Sequence, residues 1–388
     1  MKKERLDMAT IDDLIDDTGA YDCVECGKCT TVCPVAKLDQ NIAPRLIVVR
    51  ALEGVEGGLA QNMDIWRCTT CNMCSQMCPY KVDYTEFIRG LRSEAVLDGF
   101  EPTCSQGGLM QTIARVMTHQ LPQNRLGWMT EDIKVAEKGD VYYFSGCQAH
   151  LDKIFEEKNT GVLEIARNSI RILNKAGITP AMSPNEVCCG HDLNWTGDEE
   201  NFEKLMDINI NAIKETKAKT VVFSCPEGMR TFDFDYQDIA GDLPFELVYI
   251  TDYLMDLIDD GKLEFANGDK KKITYHDPCR LGRHLGIYDS PRELIEAAGF
   301  ELVEMENIKE NSTCCGVNAF ATCESLSKMM QVNRLMEAKE TGADMLLTTC
   351  PKCIIHFSCS VWKEIPVERD KVDIPLGDLV STVVKRVK

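Results

Sequence analysis

Apolar positions along the chain change their spacing near residue 140. Before it, the pattern is helical. The stretch from Pro44 to Gly54 offers Ile47, Val48 and Leu52 as candidate buried positions, with proline at its start and glycine at its end. TEFIRGLRSEAVLDG predicts a second amphipathic helix, with Phe87, Ile88, Leu91 and Val96 on or near one face, and a third is expected from Leu109 to Met117. QLPQNRLGWMTEDIKVAEKGD reads as the passage to a new domain. From Asp140 short apolar runs alternate with helical ones. VYYFSGC is followed by a helix near Gly161 to Ala176, a loop to Cys188-Cys189-Gly190, a helical run from Phe202 to Thr216, and TVVFSC. The order then recurs: KITYHDPC, a helix from Pro291 to Ala298, strand-like FELVEM, a loop to Cys314-Cys315-Gly316, a helix around Leu326 to Lys339, and DMLLTTC.

The recurrence holds position by position. Offsets of 132, 126 and 125 residues separate Cys147 from Cys279, Cys188 from Cys314 and Cys225 from Cys350. The second half is therefore read as two related α/β units with cysteines at strand ends, where open α/β sheets bind their ligands. A chain of 388 residues is too long for one core. The expected class is α+β multidomain: a helical module over 1–135, then two repeated Rossmann-like α/β domains over 140–270 and 271–388.

Charge and hydropathy narrow the partners. With 43 Lys+Arg against 62 Asp+Glu, the formal charge of −19 repels phosphate backbones and argues against nucleic acid. The start, MKKERLDMATIDDLIDD, is mostly polar, no uncharged apolar run approaches a membrane span, and mean hydropathy is −0.20. The expectation is a cytoplasmic protein that meets a membrane only through a partner.

Twenty cysteines carry the chemistry. Cys23, Cys26, Cys29 and Cys33, followed by Pro34, recur as Cys68, Cys71, Cys74 and Cys78, followed by Pro79. This C-x2-C-x2-C-x3-C-P run, present twice, is similar to the ligand pattern of bacterial-type ferredoxins with two 4Fe-4S clusters. That resemblance implies three ligands from one run and a fourth from the other: Cys23, Cys26, Cys29 and Cys78 on one cubane, and Cys68, Cys71, Cys74 and Cys33 on the second. A structural zinc site wants two pairs across a longer loop, and a disulfide framework wants an oxidising compartment. Neither explains four cysteines in eleven residues, twice. The first 100 residues thus read as an α-helical ferredoxin module.

The second unit carries Cys279, Cys314, Cys315, Cys350 and Cys353, set in YHDPCRLGRHLGIYDSPREL and TTCPKC. Together with the N-terminal module, this resembles the cysteine-rich CCG domains of heterodisulfide reductases, in the D-type form that fuses C-like and B-like parts. The resemblance covers nearly the whole chain. It implies a noncubane 4Fe-4S cluster on those five cysteines, fed by the cubane pair and able to receive substrate sulfur. Read from the residues alone, a structural zinc site or a Cys350/Cys353 redox disulfide remains the competing interpretation.

The first unit departs from this pattern. Cys147, Cys188, Cys189 and Cys225 are present, but Gly228 in SCPEGMR stands where the fifth cysteine belongs. The four thiols are open to an ordinary cluster, zinc, or no metal. Losing one site weakens the analogy to two-site disulfide cleavage. It points to single-site relatives that serve flavin-containing dehydrogenase, bifurcating or benzoyl-CoA-reductase-type complexes.

Other residues are weighed by position. His150, His191, His276 and His284 lie near the cysteines, and thiol formation needs protons. His284 is taken as the candidate donor and His276 as a structural hydrogen-bonding residue. Lys352 is expected to face water in preference to attracting an anionic substrate. Cys104, Cys323 and Cys359 are expected to be small buried apolar residues, and Trp66 to cover a cluster. No G-x-G-x-x-G follows a predicted strand, so a flavin belongs to a partner protein. Two functions remain: a redox subunit whose C-terminal cluster reduces or forms a disulfide/thiol bond, or a non-catalytic conduit linking a flavin-containing partner to another acceptor.

Overall fold

The computed structural model describes residues 11–53, 63–119, 121, 123–266, 268–362 and 367–388. Residues 1–10, Gly54, and Gln120 and Pro122 of the connecting passage lie outside them.

The N-terminal module is helical, as expected. Helices Pro44–Leu52 and Tyr84–Leu97 bury Ile47, Val48, Phe87, Ile88 and Leu91 in one core with Leu14 and Ile15 of helix Ile11–Asp17. Leu52 is instead exposed at the helix end, past the last buried turn, and Val96 is half-buried. Asp83 starts the longest of these helices by accepting a bond from Glu86 N. Gly90 lies inside it because a Cβ there would come 2.3 Å from Leu14 Cδ1. The loss of helix propensity is offset by close packing of the two helices. Helix Leu109–Met117 also forms where the sequence places it.

The second half contains two parallel sheets. Strands β1 (Val141–Phe144), β2 (Thr220–Phe223) and β3 (Glu246–Tyr249) pair in the order β1-β2-β3. Strands β4 (Lys272–His276), β5 (Glu301–Leu302), β6 (Met345–Thr348) and β7 (Leu376–Asp378) pair in the order β5-β4-β6-β7. The central strands are continuous apolar runs because helices cover both faces of such sheets. FELVEM contributes only two paired residues, and the equivalent edge of the first unit shrinks to bridges between Ala181 and Tyr142 or Ala136.

The units repeat in detail. Phe144 pairs with Phe223 as His276 pairs with Thr348, and Cys225 and Cys350 each follow two residues later. Tyr143 meets Ser224 at 2.6 Å as Tyr275 meets Thr349 at 2.7 Å. Helix Ile250–Asp259, after β3, packs on helix Ser290–Ala297 of the second unit. Helix Leu379–Val383, after β7, packs on helix Val162–Lys175 of the first. This exchange is reciprocal, and one hydrophobic core runs through both sheets. The strand ends that carry cysteines consequently face each other.

Candidate iron–sulfur sites

The two ferredoxin-type runs adopt the same backbone. Glu25 and Thr70, before the second cysteine of each run, have φ of +53° and +48°, and Gly27 and Asn72, after it, have +79° and +65°. These left-handed residues turn the chain around a point so that successive cysteines face inward. Short helices Lys28–Val32 and Met73–Gln76 then carry Cys29 and Cys74. Cys29 lies in the field of Cys23 and Cys78, whereas Cys33 lies in that of Cys68 and Cys71. The fourth cysteine of each run thus sits with the other run. A cavity is lined by Cys33, Cys68, Cys71 and Cys74. Cys74 is also within reach of Cys29, so the two groups adjoin. Cys26 is exposed while Cys71 and Cys74 are buried, which makes one group peripheral and the other internal. Trp66, only 1% exposed, lies in the core beside them.

In the second unit the sulfurs converge from three separate segments, with Cys353 in the first turn of helix Pro351–Trp362. Cys353 Sγ donates to Cys315 Sγ at 3.3 Å, and thiol hydrogen bonds also link Cys279 with Cys314 and Cys353 with Cys350, all of them free cysteines. Gly316, at φ +96°, donates to Cys314 Sγ at 3.4 Å, and Gly190, at +80°, does the same for Cys188. A Cβ on Gly316 would meet Ser327 O at 2.9 Å. This is why glycine follows the paired cysteines in both units.

Two arginines after Cys279 join this site to the ferredoxin module. Arg283 donates to the carbonyls of Cys71 at 2.6 Å and Ser312 at 2.5 Å, and Arg280 donates to Thr70 O at 2.5 Å and Thr70 Oγ1 at 2.7 Å. Cys71 and Cys314 share one core and Cys71 raises the Cys314 thiol. Neither arginine stands out by spacing or composition, because the carbonyls they bind lie about 210 residues away for the ferredoxin side.

In the first unit Cys147, Cys188, Cys189 and Cys225 also lie in one another's fields. At the missing ligand, a Cβ on Gly228 would sit 3.5 Å from Phe223 and 3.8 Å from Phe144. Those rings pack with Phe232 at centroid separations of 4.9 to 5.4 Å. Aromatic carbon therefore fills the corner that Cys353 occupies in the second unit.

Lys352 does not face water. It is 2% exposed and its ammonium pairs with Asp192 and with Glu227 Oε2 of the first unit. Burial opposes its charge, but these carboxylates outweigh it and hold the ammonium well above its ordinary range. His191 closes the group, with Nδ1 3.1 Å from Asp192 and Nε2 accepting from Arg280 at 3.2 Å. Although His191, Asp192 and Glu227 are grouped closely enough for a metal ion, Lys352 already supplies the cation there. Cys225 lies within the fields of Cys350 and Lys352, so the two cysteine groups adjoin across this cluster.

The other histidines separate. His284 is buried with Nε2 3.0 Å from Thr70 O and 2.6 Å from Arg280 Nη1, turned toward the ferredoxin module. His150 meets Arg125 at 3.1 Å, and burial followed by Arg125 lowers it to about 4. His276 is the histidine grouped with thiols, within 4.8 Å of Cys315 and Cys353. Its place at the end of β4, three residues before Cys279, is the only signal for that in the sequence. Of the cysteines outside the motifs, Cys104 and Cys359 are half-buried and Cys323 is exposed, on the loop before helix Ser325–Glu340, not in a core.

The donor sets fit iron–sulfur clusters. They are thiols throughout, and burial pushes Cys33 up to about 12 and Cys74 and Cys225 well above the ordinary range. Such groups ionise together only around a compensating soft cation.

Comparison with known proteins agrees. A profile for a 4Fe-4S dicluster domain matches residues 19–82, and one for a cysteine-rich domain, CCG, matches 141–232 and 273–358. The D chain of dihydromethanophenazine:CoB–CoM heterodisulfide reductase from Methanosarcina barkeri is 32% identical over 93% of this chain and 92% of its own. Its namesake from Methanosarcina acetivorans is 32% identical over 85% and 86%. An EtfAB:quinone oxidoreductase of Syntrophomonas wolfei is 24% identical over 90% of this chain and 56% of its own. Among solved structures, a hypothetical protein from Helicobacter pylori shares the fold with a TM-score of 0.58 at 10% identity, over 98% of this chain and 77% of that one. With its dicluster module, its paired CCG units and this similarity over almost its full length, the chain belongs to the D-type family of heterodisulfide reductase iron–sulfur proteins.

Proposed function

We propose that this chain is the iron–sulfur component of a redox complex and carries electrons inward from a partner to a sulfur-handling site in its second CCG unit. Cys23, Cys26, Cys29 and Cys78 would hold the outer cubane, Cys68, Cys71, Cys74 and Cys33 the inner cubane, and Cys279, Cys314, Cys315, Cys350 and Cys353 a noncubane cluster. When bound, such clusters supply single-electron transfer and, at the last, iron open to a substrate thiolate.

The observation that carries this reading is the join between Cys71 and the second unit. Arg283 bonds the Cys71 carbonyl on one side and the Ser312 carbonyl, two residues before Cys314, on the other. It fixes the inner ferredoxin group against the five-thiol group in a buried, water-excluding setting. At the outer end Tyr21, Val24, Met77 and Tyr80, which flank Cys23 and Cys78 in the chain, are all exposed. They offer an apolar docking face for a flavin-containing or other redox protein. The domains of this reading are a ferredoxin module over 1–135 and CCG domains over 140–270 and 271–388.

The filled corner at Gly228 favours a single reactive site. The substrate is then a thiol or disulfide engaged at the second unit alone, and the first unit braces it. Anaerobic iron, sulfide and zinc analysis with low-temperature electron paramagnetic resonance tests the assignment. The expected result is two cubanes plus a third, thiol-responsive signal that Cys353→Ala abolishes while both cubanes still reduce. Zinc or no further metal at the second unit would leave the chain a conduit between partners.

A further inference from the structure

The geometry points to His276 Nε2–H as a hydrogen-bond donor to sulfur at the second-unit site, tuning the potential of whatever cluster that site holds. The inference rests on the cluster reading above and adds to it a residue that is not a ligand.

His276 ends β4 and is fully buried. Its Nδ1 accepts from Arg334 Nε at 3.1 Å. A guanidinium only donates, so Nδ1 carries the lone pair and the neutral ring carries its proton on Nε2. Arg334 is itself held by several bonds. It donates to Ser312 Oγ at 3.0 Å, Asn307 O at 2.9 Å and Glu337 Oε2 at 2.6 Å, with no exposed surface. Phe357 stands edge-on to the imidazole at 5.0 Å and fixes its plane.

That leaves Nε2 as a buried donor with no hydrogen-bond partner among the described residues. Buried donors are rarely left so. The acceptors at hand are sulfurs, since His276 groups with Cys315 and Cys353 within 4.8 Å. An N–H aimed at thiolate or cluster sulfur favours the more negatively charged state and so raises the reduction potential.

The first unit supplies an internal control. At the position equivalent to His276 it has Phe144, paired in the same register, and at the position equivalent to Cys353 it has Gly228. The donor and the fifth thiol are absent together. A histidine serving only the fold would have no reason to accompany the ligand.

The test uses the full chain reconstituted anaerobically as wild type, His276→Phe and His276→Gln, with iron and sulfide counted first. Redox titration of the second-unit signal then follows. His276→Phe is expected to keep its iron and move the midpoint more negative by about a tenfold change in the one-electron equilibrium, ~59 mV. Cubane potentials should not move. His276→Gln, which keeps an N–H donor, should stay near wild type. An unchanged midpoint in His276→Phe, equal shifts in both variants, or loss of iron in both would overturn the inference. A wild-type protein without a third cluster overturns the underlying reading at the counting stage, before any potential is measured.

Discussion

Lys352 Nζ lies 2.5 Å from Oε2 of Glu227, and in the internal repeat these two residues are each other's counterparts. Each is the second residue after the fourth cysteine position of its unit, in CPKC and CPEG. Where two like units pack reciprocally, equivalent residues near the axis meet each other, and identical charges there would repel. With lysine on one side and glutamate on the other, this self-contact is an ion pair. It also makes the two sites unequal, because the cation comes from the unit with five thiols and the carboxylates from the unit with four.

Removing the cation should therefore cost more than an ordinary surface pair. Lys352→Met leaves Asp192 and Glu227 buried without compensation, and breaking such a pair costs about 3–5 kcal/mol. Chemical denaturation of the anaerobically purified protein measures it. The exchange Lys352→Glu with Glu227→Lys should recover part of that loss, since Asp192 and the pairing partner remain. Unchanged stability in Lys352→Met would show that the ion pair contributes nothing net to folding.

Gly228→Cys should fold, because its Cβ makes contacts of 3.5 and 3.8 Å, ordinary van der Waals distances. The effect on stability is expected to be about 1–3 kcal/mol, the range for adding side-chain atoms to a packed core. The added thiol should nevertheless bring no extra iron, since Phe144, Phe223 and Phe232 occupy the corner. Iron and sulfide analysis against wild type decides it, and added iron would mean that the aromatic cluster gives way to a metal cluster.

Much of this was legible in the chain because ligand spacing is covalent. Both four-cysteine runs, the five second-unit thiols and the gap at Gly228 are countable, and helices such as Tyr84–Leu97 carry a strong 3.6-residue period. What was hidden depends on partners distant in sequence. Strands β3 and β7 have four and three residues and are specified by the strands beside them. Lys352 looks like a solvent-facing lysine until Glu227, 125 residues earlier, is brought against it. The choice between His276 and His284 turns on which way each ring points, and that is set by Arg334 in one case and by Thr70 and Arg280 in the other.

Asp378 gives a pH dependence independent of the clusters. It caps helix Leu379–Val383 by accepting from Ser381 N at 2.7 Å, yet burial outweighs that bond and raises it to about 6. The folded state then holds this proton more tightly than the unfolded chain, whose aspartate titrates near about 3.9. Stability from this group is fully present below about pH 4 and is lost as pH rises toward 6. Asp378→Asn keeps a capping oxygen without the charge. Relative to wild type it should be equal near pH 4 and more stable by about 2–3 kcal/mol above about pH 6.5. Denaturation curves at the two pH values check the sign, and a difference that shrinks with rising pH would mean the cap, not burial, sets the titration.

Arg283 is the residue on which the proposed electron path depends most directly. It is 5% exposed, and its side chain bonds carbonyls on both sides of the join, at Cys71 and at Ser312 and Glu310. Arg283→Lys keeps the charge but replaces a planar fork with a single ammonium that cannot span both sides. Buried carbonyls left without donors cost about 1–3 kcal/mol, so the join should loosen before the protein unfolds. With the cubane ligands untouched, both ferredoxin signals should form and reduce normally. Rapid-freeze electron paramagnetic resonance after mixing with reductant should then show the second-unit signal changing about tenfold more slowly than in wild type, a barrier increase of about 1.4 kcal/mol. Equal rates in the two proteins would mean that electrons reach the second unit by a route other than the Cys71 join.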